Sequence, residues 1–273
     1  MKRVAILAAL LLLAGCAQKQ DNAWLGYGEG DYAFVSAPQA GWMTGLATER
    51  GQTVQKGDLL FTLDTTEQQA SRDQAEASLA QAKASLAQEE ANLKYMQTEL
   101  ARQTRLMQAR AGTQEALDQA ENNEKQSSAR IAQLQSQIGQ MEASLSGAAY
   151  NLSQRRIVAL TDGPVQDIYF RPGEYVPNST PVVSILPPAN IYVRFFVPET
   201  QLANVHLGQK MKITCDGCKP MEATVTFIAS QEEYTPPVIF SVGNREKLVF
   251  KVEARAKGGL PIHPGQPVDV RPL

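Results

Sequence analysis

Cysteine, histidine and tryptophan are scarce in this chain of 273 residues, which holds three, two and two of them. His206 and His263 are too few and too isolated to complete a zinc set, so no metal is expected. An excess of either charge is also missing. The 26 basic and 28 acidic residues leave a formal charge of -2, whereas a phosphate backbone requires a concentrated basic face; a nucleic-acid partner is excluded on that ground. No G-x-S-x-G elbow or H-E-x-x-H helix occurs, and "GYGEG" at residues 26–30 lacks the helix and lysine that a phosphate loop needs behind it. Neither an enzyme nor a cofactor is expected. Long apolar runs are absent too: the longest at the start, Val4 to Leu13, has ten residues, and a bilayer takes about 20.

That short run reads as a leader. Lys2 and Arg3 precede it and "LAGC" closes it with small residues before Cys16, which makes residues 1–15 a signal peptide. "LAGC" resembles the lipobox of a bacterial lipoprotein, and the resemblance implies cleavage before Cys16 and acylation of that cysteine; a plain secretory signal with a chance cysteine is the alternative. Either way the mature chain works outside the cytoplasm. In an oxidising compartment Cys215 and Cys218, in "TCDGC", are expected to form a local structural disulfide. A thioredoxin-like redox pair is the sharper alternative, but such a pair opens a helix, and "CDGC" lies as a turn between the strand-like "QKMKIT" and "EATVTFI".

Glycine and proline are missing from Thr66 to Arg110, where alanine, glutamine, glutamate and leucine dominate. Leu79, Leu86, Leu93, Leu100 and Met107 recur every seven residues beside Ala75, Ala82 and Met96, the spacing of a coiled-coil strand. The pattern resumes beyond "ARAGTQ" with Leu117, Ile131, Ile138, Leu145 and Leu152 beside Ala120, Leu134, Met141 and Ala148, so a second helix is predicted from about Gln114 to Asn151. Reversal near Gly112 makes the arms antiparallel and brings Leu93 level with Ile131 and Leu86 with Ile138, while Glu89, Gln103 and Glu124 interrupt the seam.

The sequences flanking this hairpin repeat each other. "VSAPQAGWMTGLATERGQTVQKGDLLFTL" returns as "IVALTDGPVQDIYFRPGEYVPNSTPVVSIL" at a constant offset of 122, pairing Val35 with Ile157, Gly41 with Gly163, Gly51 with Gly173, Val54 with Val176 and Leu63 with Ile185. Two matching β-halves that close on each other as a small sandwich are predicted. Their cadence resembles a lipoyl or biotinyl carrier domain with the hairpin standing in place of the modified lysine; Lys56 lies in a different turn, inside the repeat unit. Further on, "IYVRFFV", "QKMKIT", "EATVTFIA", "KLVFKVEAR" and "QPVDV" alternate like the strands of a small β-barrel, with a short helix in "PETQLANVHLGQ" and a long hairpin or lid in "EEYTPPVIFSVGNREK".

A lipobox, a lipoyl-like domain split by an α-hairpin and a following β-barrel together resemble the periplasmic adaptors, or membrane fusion proteins, of the HlyD type. The implied fold is mixed α and β and elongated. Its parts are an anchored N-terminal segment at 16–32, a split lipoyl-like (barrel-sandwich hybrid) domain at 33–64 and 153–188, the coiled-coil hairpin at 65–152 and the barrel at 189–273. Adaptors that dock on a TolC-type duct resemble one another in the tip pattern R-x3-L-x6-S with an acid five residues on. Arg102, Leu106, Thr113 and Asp118 fall on those positions, Thr113 in place of serine. The resemblance implies an inner-membrane exporter as partner, an outer-membrane channel, self-association into a ring of six, and a lipid anchor in the periplasm of a Gram-negative bacterium. Ala17 is not the aspartate that marks inner-membrane retention, yet the inner membrane is the expected side. "CDGC" and "YTPPVIFS" look like HlyD-type adaptors of ABC exporters, and the chain ends after the barrel where adaptors of RND pumps continue, so an ABC permease is expected and an RND pump is the alternative.

Two further classes compete. A carrier subunit accounts only for the repeat and predicts a lipoyl or biotin adduct. A structural coiled-coil lipoprotein accounts for the leader and hairpin but leaves the tip pattern to chance. For the leader itself, Cys16→Ser is expected to abolish incorporation of radiolabelled palmitate and to alter signal cleavage; palmitate still entering the variant overturns the lipobox reading.

Overall fold

The computed structural model describes residues 23–234 and 248–273; Cys16 and residues 235–247 of the expected lid lie outside the described residues. The chain divides into one unit at residues 34–185 and another that joins residues 186–273 to the described residues up to 33. Strand β1 (Trp24–Gly30) belongs to the latter.

In the first unit the sequence repeat is a structural one. Strands β2 (Ala33–Ser36), β3 (Gly41–Leu46), β4 (Thr53–Val54) and β5 (Leu59–Leu63) return, 122 residues on, as β6 (Arg156–Val158), β7 (Gly163–Ile168), β8 (Tyr175–Val176) and β9 (Pro181–Ile185). The halves do not form one sheet each. They interleave, giving sheets ordered β2-β9-β7-β4 and β6-β5-β3-β8, and the offset converts the first order into the second. Pairing obeys the same symmetry: Gly41 lies opposite Val176 and Val54 opposite Gly163. Even the bulges agree, one between Met43 and Gly45, the other between Val165 and Asp167. Inward positions of both halves, among them Met43, Leu60, Phe61, Leu63, Val176 and Ile185, make one buried core.

The helical arms are α1 (Thr66–Gln108) and α2 (Gln114–Ser153), which at 1.5 Å per residue are about 60 Å long. Asp64 starts α1, its carboxylate accepting from the Thr66 amide at 3.1 Å and the Thr66 hydroxyl at 2.7 Å. Leu79, Ala82, Ala120, Ser127 and Leu134 are buried between the arms, and the other seam leucines and isoleucines are half-buried. Lys83 reaches Glu142 at 3.4 Å, close to the expected level, whereas Glu89 is met by Ser127, nearer the tip than that level predicts. At the base, buried Arg155 donates from Nη1 to the Ala40 carbonyl at 2.8 Å and its own carbonyl accepts from the Leu63 amide at 2.9 Å. A Cβ at Gly41 would lie 2.5 Å from Arg155 Nη1, so a side chain there would displace the guanidinium from its bond to Ala40.

The second unit is a closed barrel, β1-β10-β13-β12-β11-β14, built with β10 (Ile191–Pro198), β11 (Lys210–Thr214), β12 (Met221–Tyr234), β13 (Leu248–Arg255) and β14 (Pro267–Pro272). Helix α3 (Glu199–Leu202) follows β10. Of the anchored N-terminal segment expected at 16–32, residues 24–30 belong instead to the barrel, as the strand that closes it between β10 and β14. Trp24 is buried there, stacked on Phe195 at 5.8 Å and donating from Nε1 to Gln201 at 2.6 Å. "GYGEG" is part of this strand: a Cβ on Gly26 or Gly28 would lie 2.5 or 2.4 Å from a neighbouring carbonyl, so no larger residue fits. Across the outer face, Arg194 bridges Glu29 at 2.9 Å and Glu253 at 3.0 Å on the adjoining strands, and the Arg255 guanidinium sits 4.0 Å above the Tyr192 ring.

One turn recurs in both units. In Glu49–Gln52, Gln55–Asp58, Arg171–Glu174, His206–Gln209 and His263–Gln266 the fourth residue's amide donates to the first residue's carbonyl at 3.0–3.1 Å. Its side chain accepts from the first residue's amide at 2.8–3.1 Å, and glycine with φ between 82° and 98° stands third. This is a type II turn sealed by its own last side chain.

Two adjacent glycines make the steric case testable. Gly258 and Gly259 both have φ of 85°, but a Cβ meets open space at the first and lies 1.8 Å from the Pro188 carbonyl at the second. Gly258→Ala is expected to cost about 1 kcal/mol and Gly259→Ala about 3 kcal/mol or more, measured by urea unfolding followed at Trp24 in a Trp42→Phe background. Equal costs would refute the close approach.

Candidate functional site

The hairpin tip is built by two capping devices. Helix α1 ends without glycine: the Ala111 amide donates to the Leu106 carbonyl at 2.9 Å and the Arg110 amide to the Met107 carbonyl at 2.9 Å, the paired bonds of a Schellman turn, with Arg110 at φ 55° in the position that usually holds glycine. Gly112 then folds over the helix end, where a Cβ would come 3.1 Å from the Met107 amide and 3.2 Å from the Leu106 side chain. Extended Thr113 opens α2, its Oγ1 accepting from the Ala116 amide at 3.2 Å.

The four residues singled out in the sequence all lie at this end of the hairpin, in differing states. Leu106 is 38% exposed with no place on the seam, while Met107 beside it is half-buried. Arg102 is not free: Glu99 holds its guanidinium through Nε at 3.2 Å and Nη2 at 2.6 Å, and Gln103 joins the same carboxylate at 2.7 Å. These bonds hold the Glu99 carboxyl below its ordinary range and raise the Arg102 guanidinium. Asp118 is exposed and accepts from Gln114 at 2.7 Å, and the Thr113 oxygen is committed to the cap, leaving its hydroxyl proton to donate outward. Sequence reasoning missed the Glu99 clamp, which the i, i+3 spacing to Arg102 could have indicated. It also missed the left-handed Arg110, for which the lack of glycine at the end of α1 was the signal.

Away from the tip, Cys215 and Cys218 are joined by a disulfide in the turn from β11 to β12, and Gln266 donates to the Cys215 sulfur at 3.3 Å. Among the described residues there is no cluster of metal-ligating side chains, and no helix is long and apolar enough to cross a membrane. Lys56 is exposed in the turn before β5, where its backbone amide donates to Asp162 at 2.6 Å.

Comparison with known proteins bears on the hairpin first. Residues 78–155 match the family model described as RND MFP, alpha-helical hairpin domain. A curated relative from Acidithiobacillus ferridurans, described as a UPF0194 membrane protein in the asrC 5' region, is 34% identical over 128 residues. That match covers 46% of this chain and 38% of the relative's own length. Among solved structures, MacA from Actinobacillus actinomycetemcomitans has a TM-score of 0.73 at 20% identity, covering 92% of this chain and 78% of that one. The membrane fusion protein Spr0693 from Streptococcus pneumoniae R6 has a TM-score of 0.59 at 16% identity over 92% and 98% of the two chains. The periplasmic adaptor protein EmrA has 0.51 at 15% over 92% and 99%. Identities this low establish a shared fold.

Within the hairpin, the polar interruption of the seam has a pH signature. The Glu89 carboxylate accepts from the Ser127 hydroxyl at 2.5 Å and from Asn92 at 3.0 Å, and these bonds, the Ser127 one foremost, depress its pKa below the ordinary 4.5. A depressed carboxyl stabilises the folded arms fully above 4.5, and that contribution is lost as pH falls through the folded value. Ser127→Ala is expected to return Glu89 towards 4.5 in a carboxyl NMR titration and to flatten the acid limb of helical stability; an unmoved Glu89 would show that Ser127 does not hold it.

Proposed function

We propose that this chain, which carries the fold of the membrane fusion proteins, works as a periplasmic adaptor: anchored by lipid at Cys16, it joins an inner-membrane exporter to a TolC-type outer-membrane channel for efflux or secretion. The carrying observation is the tip. A plain stalk explains Leu106 only in part: it lies under Gly112 in the turn that ends α1, yet it stays off the seam and exposed at the bend. Beside a cap that leaves a hydroxyl proton free, it forms an apolar anchor within a hydrogen-bonding rim, the composition of a small protein interface. A ring of such tips multiplies a weak contact into a tight one, which supports self-association, with six subunits as the proposed count. The adaptor role involves no catalysis and no cofactor.

For the exporter, an ABC permease is the proposed partner, on the likeness of "CDGC" and "YTPPVIFS" to HlyD-type adaptors. An RND pump is the second reading, favoured by the description of the matching hairpin family. ABC or RND reading frames beside this gene distinguish the two. The division into a split lipoyl-like domain at 33–64 and 153–188 with the hairpin inserted at 65–152 belongs to the same proposal, and the helices at Thr66–Gln108 and Gln114–Ser153 support it.

The tip is tested in a deletion strain whose export defect the wild-type gene restores. Leu106→Asp is expected to fail to restore export and to lose cysteine cross-links from position 114 to the outer-membrane channel, with helicity at 222 nm and co-purification with the exporter unchanged. Normal export by Leu106→Asp would leave the plain stalk as the better reading.

A further inference from the structure

The cation best placed to meet a partner is not the one the tip pattern singles out. Arg102 is held by Glu99 through two nitrogens, and its charge is already matched. Arg110 differs in both respects. Its guanidinium makes no hydrogen bond or ion pair among the described residues, and its backbone occupies the left-handed region, which of the non-glycine described residues only Ser179 shares. Glycine adopts that conformation without strain, and helices that end in this turn usually place glycine there. An arginine at a position that favours glycine carries a local backbone cost, and residues strained in this way cluster at functional surfaces.

Compensation of the helix dipole is the plain structural explanation, since a cation near the last carbonyls of α1 is stabilising. Arg105, already in the last turn, supplies that cation without a left-handed backbone. A membrane surface is the other candidate, because exposed cations attract anionic lipid. The tip has no aromatic residue between Tyr95 and Tyr150, and exposed Glu115 and Asp118 stand at the start of α2 beside it, so it lacks the apolar face and the single sign of charge that interfacial binding uses. A cation flanked by acids suits a protein surface of matching pattern.

We infer that Arg110 is the cation by which the hairpin apex reads a carboxylate on the mouth of the outer-membrane channel, while Arg102 braces the end of α1 through Glu99. This rests on the adaptor reading. It adds a specificity-determining residue outside the tip pattern and states the chemistry of the surface it meets.

The test uses the full-length chain in its own envelope, with a photo-cross-linking amino acid at position 108 and the cross-linked product identified by mass spectrometry as the outer-membrane channel. Arg110→Gly and Arg110→Glu are expected to lower the yield roughly tenfold, Arg110→Lys to keep it within about twofold, and the salt sensitivity of the yield to shrink in Arg110→Gly. The purified Arg110→Gly protein is expected to unfold at an unchanged or higher temperature, which separates lost recognition from lost structure. Full yield from both Arg110→Gly and Arg110→Glu, where Leu106→Asp abolishes it, overturns this inference and leaves the adaptor reading standing. Full yield from all three overturns both. Arg110-dependent binding of the purified protein to phosphatidylglycerol vesicles, with cross-linking unchanged, shows that the cation serves lipid and overturns the inference as well.

Discussion

The pairing of β5 with β6 is the constraint on which the first unit depends. The chain leaves the sandwich at Leu63 and returns at Arg156, yet Thr62 and Arg156 lie opposite each other in adjacent antiparallel strands. Ordering some ninety intervening residues as a loose loop would oppose that contact with closure entropy. Folding them as two arms that return to their starting point removes most of the difficulty, since the ends of a hairpin are adjacent by construction. Arg155, buried between them with its hydrogen bond to Ala40, fastens the place where the helical and β periodicities meet. Packing along the arms contributes more than their charges do. Full burial of a leucine such as Leu79 is worth about 1.5–3 kcal/mol, while an exposed ion pair such as Lys83 with Glu142 is worth at most about 1.

The interleaved sheets show why a repeat was needed rather than merely tolerated. Because each sheet draws strands from both halves, neither half buries its apolar face without the other, and the pairs Gly41–Val176 and Val54–Gly163 each join one half to the other. The sealed type II turns hold this arrangement locally. Each supplies its own hydrogen-bond partners at a bend, so the short strands β4 and β8 enter their sheets already aimed.

Periodic features were legible in the sequence. The seven-residue spacing of Leu79 to Met107 and the offset of 122 both survive averaging over local irregularity, and they led to the hairpin and the two matching β-halves. What escaped depended on long-range closure or on single side chains. Strand β1 was hidden by three glycines that lower strand propensity, and residues far along the chain explain them: Arg194 and Phe195 against Gly26, His263 against Gly28 and Leu186 against Gly30. That the two halves would exchange strands cannot be read from either half, because the pattern of inward residues is the same for both pairings. At the tip, the sequence showed which residue types stand at which spacing. It did not show that Thr113 is occupied as a helix cap or that Arg102 is held by Glu99.

Strand β1 also sets a leash. Trp24 is fixed in the barrel wall, and an extended chain covers at most about 3.6 Å per residue, so on the proposed anchoring the eight steps from Cys16 to Trp24 can span no more than about 29 Å. On that anchoring the barrel would be confined to a layer near the lipid surface. Within that layer it could tilt and slide but not withdraw, and an exporter protruding from the same membrane would meet it by diffusion in two dimensions instead of three.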